Sequence, residues 1–423
     1  MGGLRTVPAR WREVPHLGVP AALGALAVLL LPGYLYVRQY RHVLAEPDGF
    51  VYDFSFFYQA GQRFLADPAA LYADVQYLYP PPSVVPFLTT VALPQWAAYL
   101  AWNAGVVALA VVCFRRVLRL YARPEAEPVA RPLTRGLVLI GLGSGPLLQN
   151  LKYGQVNVLV LLAGLLFLNG LRRDRPLRAA LALCGGFWLK LYPLVLIPLA
   201  WGVRRPGRLV FGFALGLVGL PLVLAPVVPL ALYAEFAVER TPTWAGLTNQ
   251  GALNGSLVGV LTRLTLPPEA ALHGLEVPMP VWVSAVGTFA SALLFGGVAL
   301  AHAAGRLRRE VAGVIALALI PVCSTLGWEH TYLLALPLLF FALLDARGRS
   351  RRARMLTAGA ALLLMLPRLP IRVLAALVEH APRPVVDLLN ARYLLVTLAL
   401  AAAVAAWSWQ RPEPGDSLSR SDG

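Results

Sequence analysis

Between Arg178 and Arg204 the chain reads AALALCGGFWLKLYPLVLIPLAWGV, a stretch of 25 residues whose one charge is Lys190. A membrane-spanning helix needs about 20 apolar residues. Arginine clusters close both ends of the stretch, so both ends belong on the same side of a bilayer. At about 1.5 Å per residue, so short a segment cannot cross twice. The reading that satisfies both conditions is a broken hairpin of two half-helices, with its apex near Lys190, Tyr192 and Pro193. Such breaks are tolerated at membrane depth where the backbone is buried in protein or lines a cavity.

The rest of the chain agrees with this setting. Hydrophobic residues make up 58% of the 423 residues and charged residues 14%, and the mean hydropathy is +0.65. Soluble domains are nearer 45–50% apolar and about 25% charged. These values exclude a soluble enzyme, a disordered chain and a disulfide scaffold, and predict an all-α polytopic membrane protein with one integral membrane domain over 1–423. The net charge is +16, yet no basic domain is present to hold nucleic acid. Instead the arginines cluster between apolar runs, at Arg115/Arg116/Arg119/Arg123, Arg172/Arg173/Arg175/Arg178, Arg204/Arg205/Arg208, Arg306/Arg308/Arg309 and Arg347/Arg349/Arg351/Arg352/Arg354. Placing all of them in the cytoplasm predicts spans near 17–37, 96–115, 135–150, 155–171, 179–190, 191–203, 209–231, 281–304, 311–326, 331–345, 354–367 and 390–409. That is about 12 passes, some of them half-helices, with both termini cytoplasmic. The first follows Arg5, Arg10 and Arg12 and lacks a signal-peptide cleavage site, so it reads as a retained anchor.

Two extracytoplasmic loops remain, 38–95 and 232–280. Phe54, Phe57, Tyr58, Phe64 and Leu65 recur at helical spacing in the first, with Gln59, Gln62 and Arg63 opposite. The pattern predicts an amphipathic helix in the outer interface. The apolar run from Tyr79-Pro80-Pro81-Pro82 to about Leu93 is too short to span and reads as re-entrant or interfacial.

Polar groups at membrane depth are the candidates for chemistry, because a charge at the centre of a spanning helix costs about 2.5–3.5 kcal/mol on insertion scales. Lys190 is one of only two lysines, the other being Lys152. It is either a snorkelling interface residue or an anion site, with phosphate the natural ligand. Asp53 is either a helix N-cap or a general base, and a helix N-terminus favours the ionised carboxylate that both roles use. Asp67 and Asp74 read as turn residues. The amides of Asn150-Leu151-Lys152-Tyr153-Gly154-Gln155-Val156-Asn157, and Asn249, Gln250 and Asn254 in the second loop, are helix caps or sugar ligands. Glu329 and His330, at the apex of a hairpin over 311–345, are a buried mutual pair or part of a site. The Gly141-x-Gly143-x-Gly145 run follows no strand and reads as helix packing, and the Asn254-Gly255-Ser256 sequon carries no signal of its own. The cysteines Cys113, Cys184 and Cys323 lie in apolar runs as small hydrophobes, and no histidines pair at metal-ligand spacing.

The residues Asp53-Phe-Ser-Phe-Phe-Tyr58-Gln-Ala60, Leu71-Tyr72, Tyr77-Leu-Tyr79-Pro80-Pro81, Gly154-Gln155-Val-Asn157, Lys190-Leu-Tyr-Pro193, Asn249-Gln250 and Trp328-Glu329-His330, taken in order, resemble glycosyltransferase family 87. These are the polyprenyl-phosphate-mannose-dependent α-mannosyltransferases of bacteria, with the GT-C membrane fold. The chain departs from the family pattern at Gly251, where a serine often follows Asn-Gln, and at Glu329-His330, where two histidines are common. The resemblance implies an inverting hexosyltransferase of the plasma membrane with its active site outside. A polyprenyl-phosphate sugar would be donor and a glycolipid or glycan acceptor, with no metal and no cofactor. Asp53 would be the catalytic base, and Lys190 and His330 would hold the donor phosphate. Gln155, Asn157, Asn249, Gln250, Glu329, Tyr58 and Tyr79 would contact sugar or substrate. The rival class is a lipid or sugar transporter or flippase, which also uses broken helices and an intramembrane lysine. The 58-residue first loop, carrying an acid, argues against it. A non-catalytic scaffold for envelope assembly is a further alternative.

Overall fold

The computed structural model describes residues 52–73, 77–121, 131–201, 203–249, 251, 254–266, 276–346, 349–366 and 383–409, with scattered positions at 30–45, 376 and 380. Most of the span expected at 17–37, the termini, Asp74 and Gln250 lie outside the described residues. The protein is mostly helical, at 81% with 18 α-helices among the described residues. The strands there are Leu247–Asn249 and Glu276–Pro278, an antiparallel pair with Thr248 opposite Val277.

Three helices are long and apolar enough to cross a bilayer, Gln95–Leu120, Pro206–Leu224 and Val281–Ala303. The last is apolar all round, yet Val281, Phe289 and Leu300 are 86%, 65% and 71% exposed. A helix of that composition turned outward needs an apolar solvent, and a surface patch of this kind marks membrane contact. Arg309–Cys323 shows the opposite use of the same composition. Every residue from Val311 to Val322 is buried, packed against the helices Asn157–Arg172 and Arg392–Ser408. It forms the axis of the larger core, and the lipid-facing helices lie outside it.

Breaks in the helices position the polar groups. The Pro176–Leu189 helix ends at Lys190, whose backbone is extended (φ −156°, ψ 138°), and the chain resumes as a 3-10 helix over Tyr192–Ala200. Pro193 accounts for the stop, because it has no N–H for the Leu189 carbonyl and its ring would clash there. The span expected over 135–150 is two helices, Arg131–Leu142 and Gly145–Tyr153. Ser144 caps the second, its Oγ accepting from Leu147 N at 3.4 Å, and Pro146 occupies the first turn. Gly154 then closes that helix at φ +64°. A Cβ there would lie 2.6 Å from Phe54 Cβ, so both the turn and the packing require glycine.

The first loop forms a second, smaller core. Its helix Tyr52–Ala66 buries Phe54, Phe57, Tyr58 and Phe64, while Leu65 points outward. Phe57 stacks on Phe87 of the 79–93 segment at 4.5 Å between ring centroids. Asp67 caps the following 3-10 turn, accepting from Ala69 N at 3.0 Å.

Candidate active site

Asp53 lies in the first turn of the Tyr52–Ala66 helix. Tyr52 before it has φ +46°, a strained value for a tyrosine. Its ring meets Tyr153 edge-on at 5.3 Å and lies 4.7 Å from Lys152 Nζ. The tight turn at Gly154 brings Gln155 against this helix. Gln155 Nε2 donates to Asp53 Oδ2 at 2.6 Å. The other end of the same amide, Oε1, accepts from Tyr79 Oη at 3.0 Å and from Lys190 Nζ at 3.1 Å. One buried side chain thus joins the acid of the first loop to the cation at the break after Leu189.

Lys190 also donates to Asn157 Oδ1 at 3.1 Å, and Tyr192 Oη donates to the same oxygen at 2.7 Å. The Tyr79 ring lies 5.2 Å from the ammonium. An ammonium has three N–H groups, and these two bonds leave one uncommitted among the described residues. Asp53 and Lys190 make no direct ion pair there; the Gln155 amide stands between them. Burial raises the Asp53 pKa above the ordinary carboxylate value, against the Gln155 hydrogen bond and the Lys190 charge, which both lower it.

The late hairpin reaches the cluster from the other side. Asn157 Nδ2 donates to the His330 carbonyl at 3.4 Å. The His330 ring lies 5.6 Å from that of Tyr153. It is 4% exposed, and its Nε2 has no hydrogen-bond partner among the described residues. Glu329 and His330 do not pair with each other. Glu329 accepts a hydrogen bond from Tyr393 Oη and lies 4.0 Å from Arg392.

The other expected site residues sit elsewhere. Tyr58 directs its hydroxyl to the Leu93 carbonyl at 2.7 Å, inside the small core. Asn249 Oδ1 accepts from Gly251 N at 2.8 Å within the second loop, and Gln250 lies outside the described residues. That loop is organised by Asn254. Its amide accepts from Gly327 N at 2.9 Å and donates to the Thr325 carbonyl at 2.9 Å, so the loop is pinned to the hairpin that carries Glu329 and His330. Sequence alone assigns no role to Lys152 or to the Tyr192 hydroxyl. The rarity of lysine is the available signal for the first; nothing local points to the second.

An apolar groove of about 360 Å³ lies between the 79–93 segment and the Pro176–Leu189 helix. Pro82, Val85 and Pro86 of the 79–93 segment form one wall, and Gly185, Trp188 and Leu189 form the other. Its lining reaches Leu189, the residue before Lys190.

Apolar helices turned outward around a buried polar cluster suggest a membrane protein. Residues 77–272 match the model of glycosyltransferase family 87. The match points to a glycosyltransferase. The matched segment supplies Tyr79, Gln155, Asn157 and Lys190; Asp53 precedes it and His330 follows it. No curated protein matches the chain.

Proposed function

We propose that this protein transfers a hexose, mannose in the first instance, with inversion. The donor is a polyprenyl-phosphate sugar and the acceptor a hydroxyl of a lipid or glycan at the outer face of the plasma membrane. The observation that carries the reading is the Gln155 amide, with Asp53 on its nitrogen and Lys190 on its oxygen. Asp53 takes the proton of the acceptor hydroxyl as that oxygen bonds the anomeric carbon. The bond from the anomeric carbon to the phosphate oxygen breaks, and the electron pair leaves with the lipid phosphate. A phosphate monoester is a capable leaving group, so one carboxylate suffices where glycoside hydrolases use two. Lys190, with His330 beside it, meets the charge that grows on the phosphate. Tyr79, Gln155 and Asn157 orient these groups. The frame is a GT-C-like fold of about twelve passes, with 38–95 and 232–280 outside and both ends in the cytoplasm.

The direct test is incubation of the purified protein with labelled polyprenyl-phosphate sugars and an envelope lipid extract. Transfer from polyprenyl-phosphate mannose is expected. Transfer from a nucleotide sugar alone, or uptake of an intact sugar into vesicles without transfer, would overturn the reading.

The groove makes the lipid tail testable. Beyond its own helix, no atom lies within 4 Å of a Cβ built on Gly185, which lines the groove, so a side chain there starts in open space. Gly185→Trp is expected to raise the KM for a long-chain donor about tenfold through lost apolar burial, with little change for a short-chain analogue. Equal effects on both donors would place the tail elsewhere.

The bridging amide yields a pH test. Asp53 must be ionised to act as base, so activity is lost as the pH falls through its raised pKa. Gln155→Leu removes a hydrogen bond that favours the ionised form, so the acid limb of kcat/KM should move to higher pH. Above that limb, activity should fall about 10–100-fold, the worth of a hydrogen bond to a charged group. An acid limb in the same place as in the wild type would remove Asp53 from the profile.

A further inference from the structure

The far end of the Asn157–Arg172 helix carries a second polar cavity that the transfer reaction does not use. Sixteen residues of helix put it about 24 Å from Asn157. The cavity is about 440 Å³, within the roughly 300–1,000 Å³ typical of small-ligand sites. Four arginines line it: Arg116 and Arg119 from the end of the Gln95–Tyr121 helix, and Arg172 and Arg173 from the end of the neighbouring one. Asn169 adds an amide, and Leu120 and Leu165 make an apolar floor.

Arg172 is the structural member. Its Nη1 donates to the Leu120 carbonyl at 2.7 Å, tying the two helix ends together, and its Nε lies 3.8 Å from Glu310. Arg116, Arg119 and Arg173 make no ion pair among the described residues. Topology alone requires positive charge at this level of a membrane protein. It does not require four guanidinium groups from two helices to converge on one cavity whose lining, among the described residues, holds no carboxylate. We propose that this cavity binds a phosphate-bearing ligand, and that the membrane supplies it as the headgroup of an anionic phospholipid. The guanidinium fork matches phosphate oxygens in pairs. The leucine floor suits the glycerol end of a lipid, and a basic pocket between helices at a membrane boundary is suited to such headgroups.

The full-length protein, purified in mild detergent, would be titrated with phosphatidylglycerol, phosphatidylcholine and inorganic phosphate. Bound lipid would be counted by native mass spectrometry and the shift in Tm read in parallel. Wild type is expected to hold phosphatidylglycerol at least about tenfold more tightly than phosphatidylcholine, from about fivefold per arginine near a headgroup. That preference should vanish in R116Q/R119Q/R173Q and persist in R204Q/R205Q/R208Q, which removes three exposed arginines elsewhere. Arg172 is left intact because it joins the helices. If the triple variant does not purify, R119Q alone should lose about fivefold. Equal loss in the two triple variants, or no headgroup preference in the wild type, would overturn the site. Protection by inorganic phosphate without retention of phosphatidylglycerol would overturn the lipid as its source.

Discussion

Asp53→Asn is expected to lower turnover by about 10²–10⁴-fold, the usual worth of a positioned general base, while the protein still inserts and purifies. The substitution is nearly isosteric. The amide oxygen of the introduced asparagine can still accept from Gln155 Nε2, which now bonds the Asp53 carboxylate at 2.6 Å. Phe54, Phe57 and Tyr58, which fix the helix, are untouched. What disappears is a group able to take a proton. The acid limb of the pH profile should disappear with it, because the titrating carboxyl is gone. Measured transfer rates with polyprenyl-phosphate mannose, alongside the size-exclusion profile of the variant, check both parts. Near-normal turnover in a well-behaved preparation would assign Asp53 to helix structure, and another group would have to accept the proton.

The residues of this site differ in how far their roles can be read along the chain. Lys190 stands out locally, since a single ammonium in 25 apolar residues is costly and Pro193 explains the break beside it. The amides at Gln155 and Asn157 are visible as polar residues between two apolar runs. Their partners are not visible. Gln155 reaches Asp53 across 102 positions and Asn157 reaches His330 across 173, and pairings of that length are set by packing, not by any local period. Glu329 shows the same limit: its neighbour in sequence is His330, but its partners are Tyr393 and Arg392. At Ser144-Gly145-Pro146 the local signal is present. A capping serine followed by proline in the first turn marks a helix start, and hydropathy averaged over 135–150 conceals it. The outward exposure of Val281–Ala303 and the burial of Arg309–Cys323 cannot be told apart from composition, because both helices are apolar on every side.

Lys190→Ala should damage use of the donor more than use of the acceptor. A loss of about 10²–10³-fold in kcat/KM for the polyprenyl-phosphate sugar is expected, comparable to removing one preorganised donor from an oxyanion site. The acceptor KM should stay close to wild type. Two costs combine in that figure. The phosphate loses the charge that stabilises it as the anomeric bond breaks, and Gln155 Oε1 and Asn157 Oδ1 lose the ammonium they now share. Lys190→Met separates the two effects from simple loss of volume, since it keeps most of the side chain's length and removes the charge with its N–H donors. If both variants fall equally, the charge carries the effect; if methionine restores activity, packing does. A side chain that merely snorkels toward water has no reason to distinguish donor from acceptor. An unchanged donor kcat and KM in Lys190→Ala would therefore leave the ammonium as a structural anchor for Gln155 and Asn157 and return the phosphate to His330 alone.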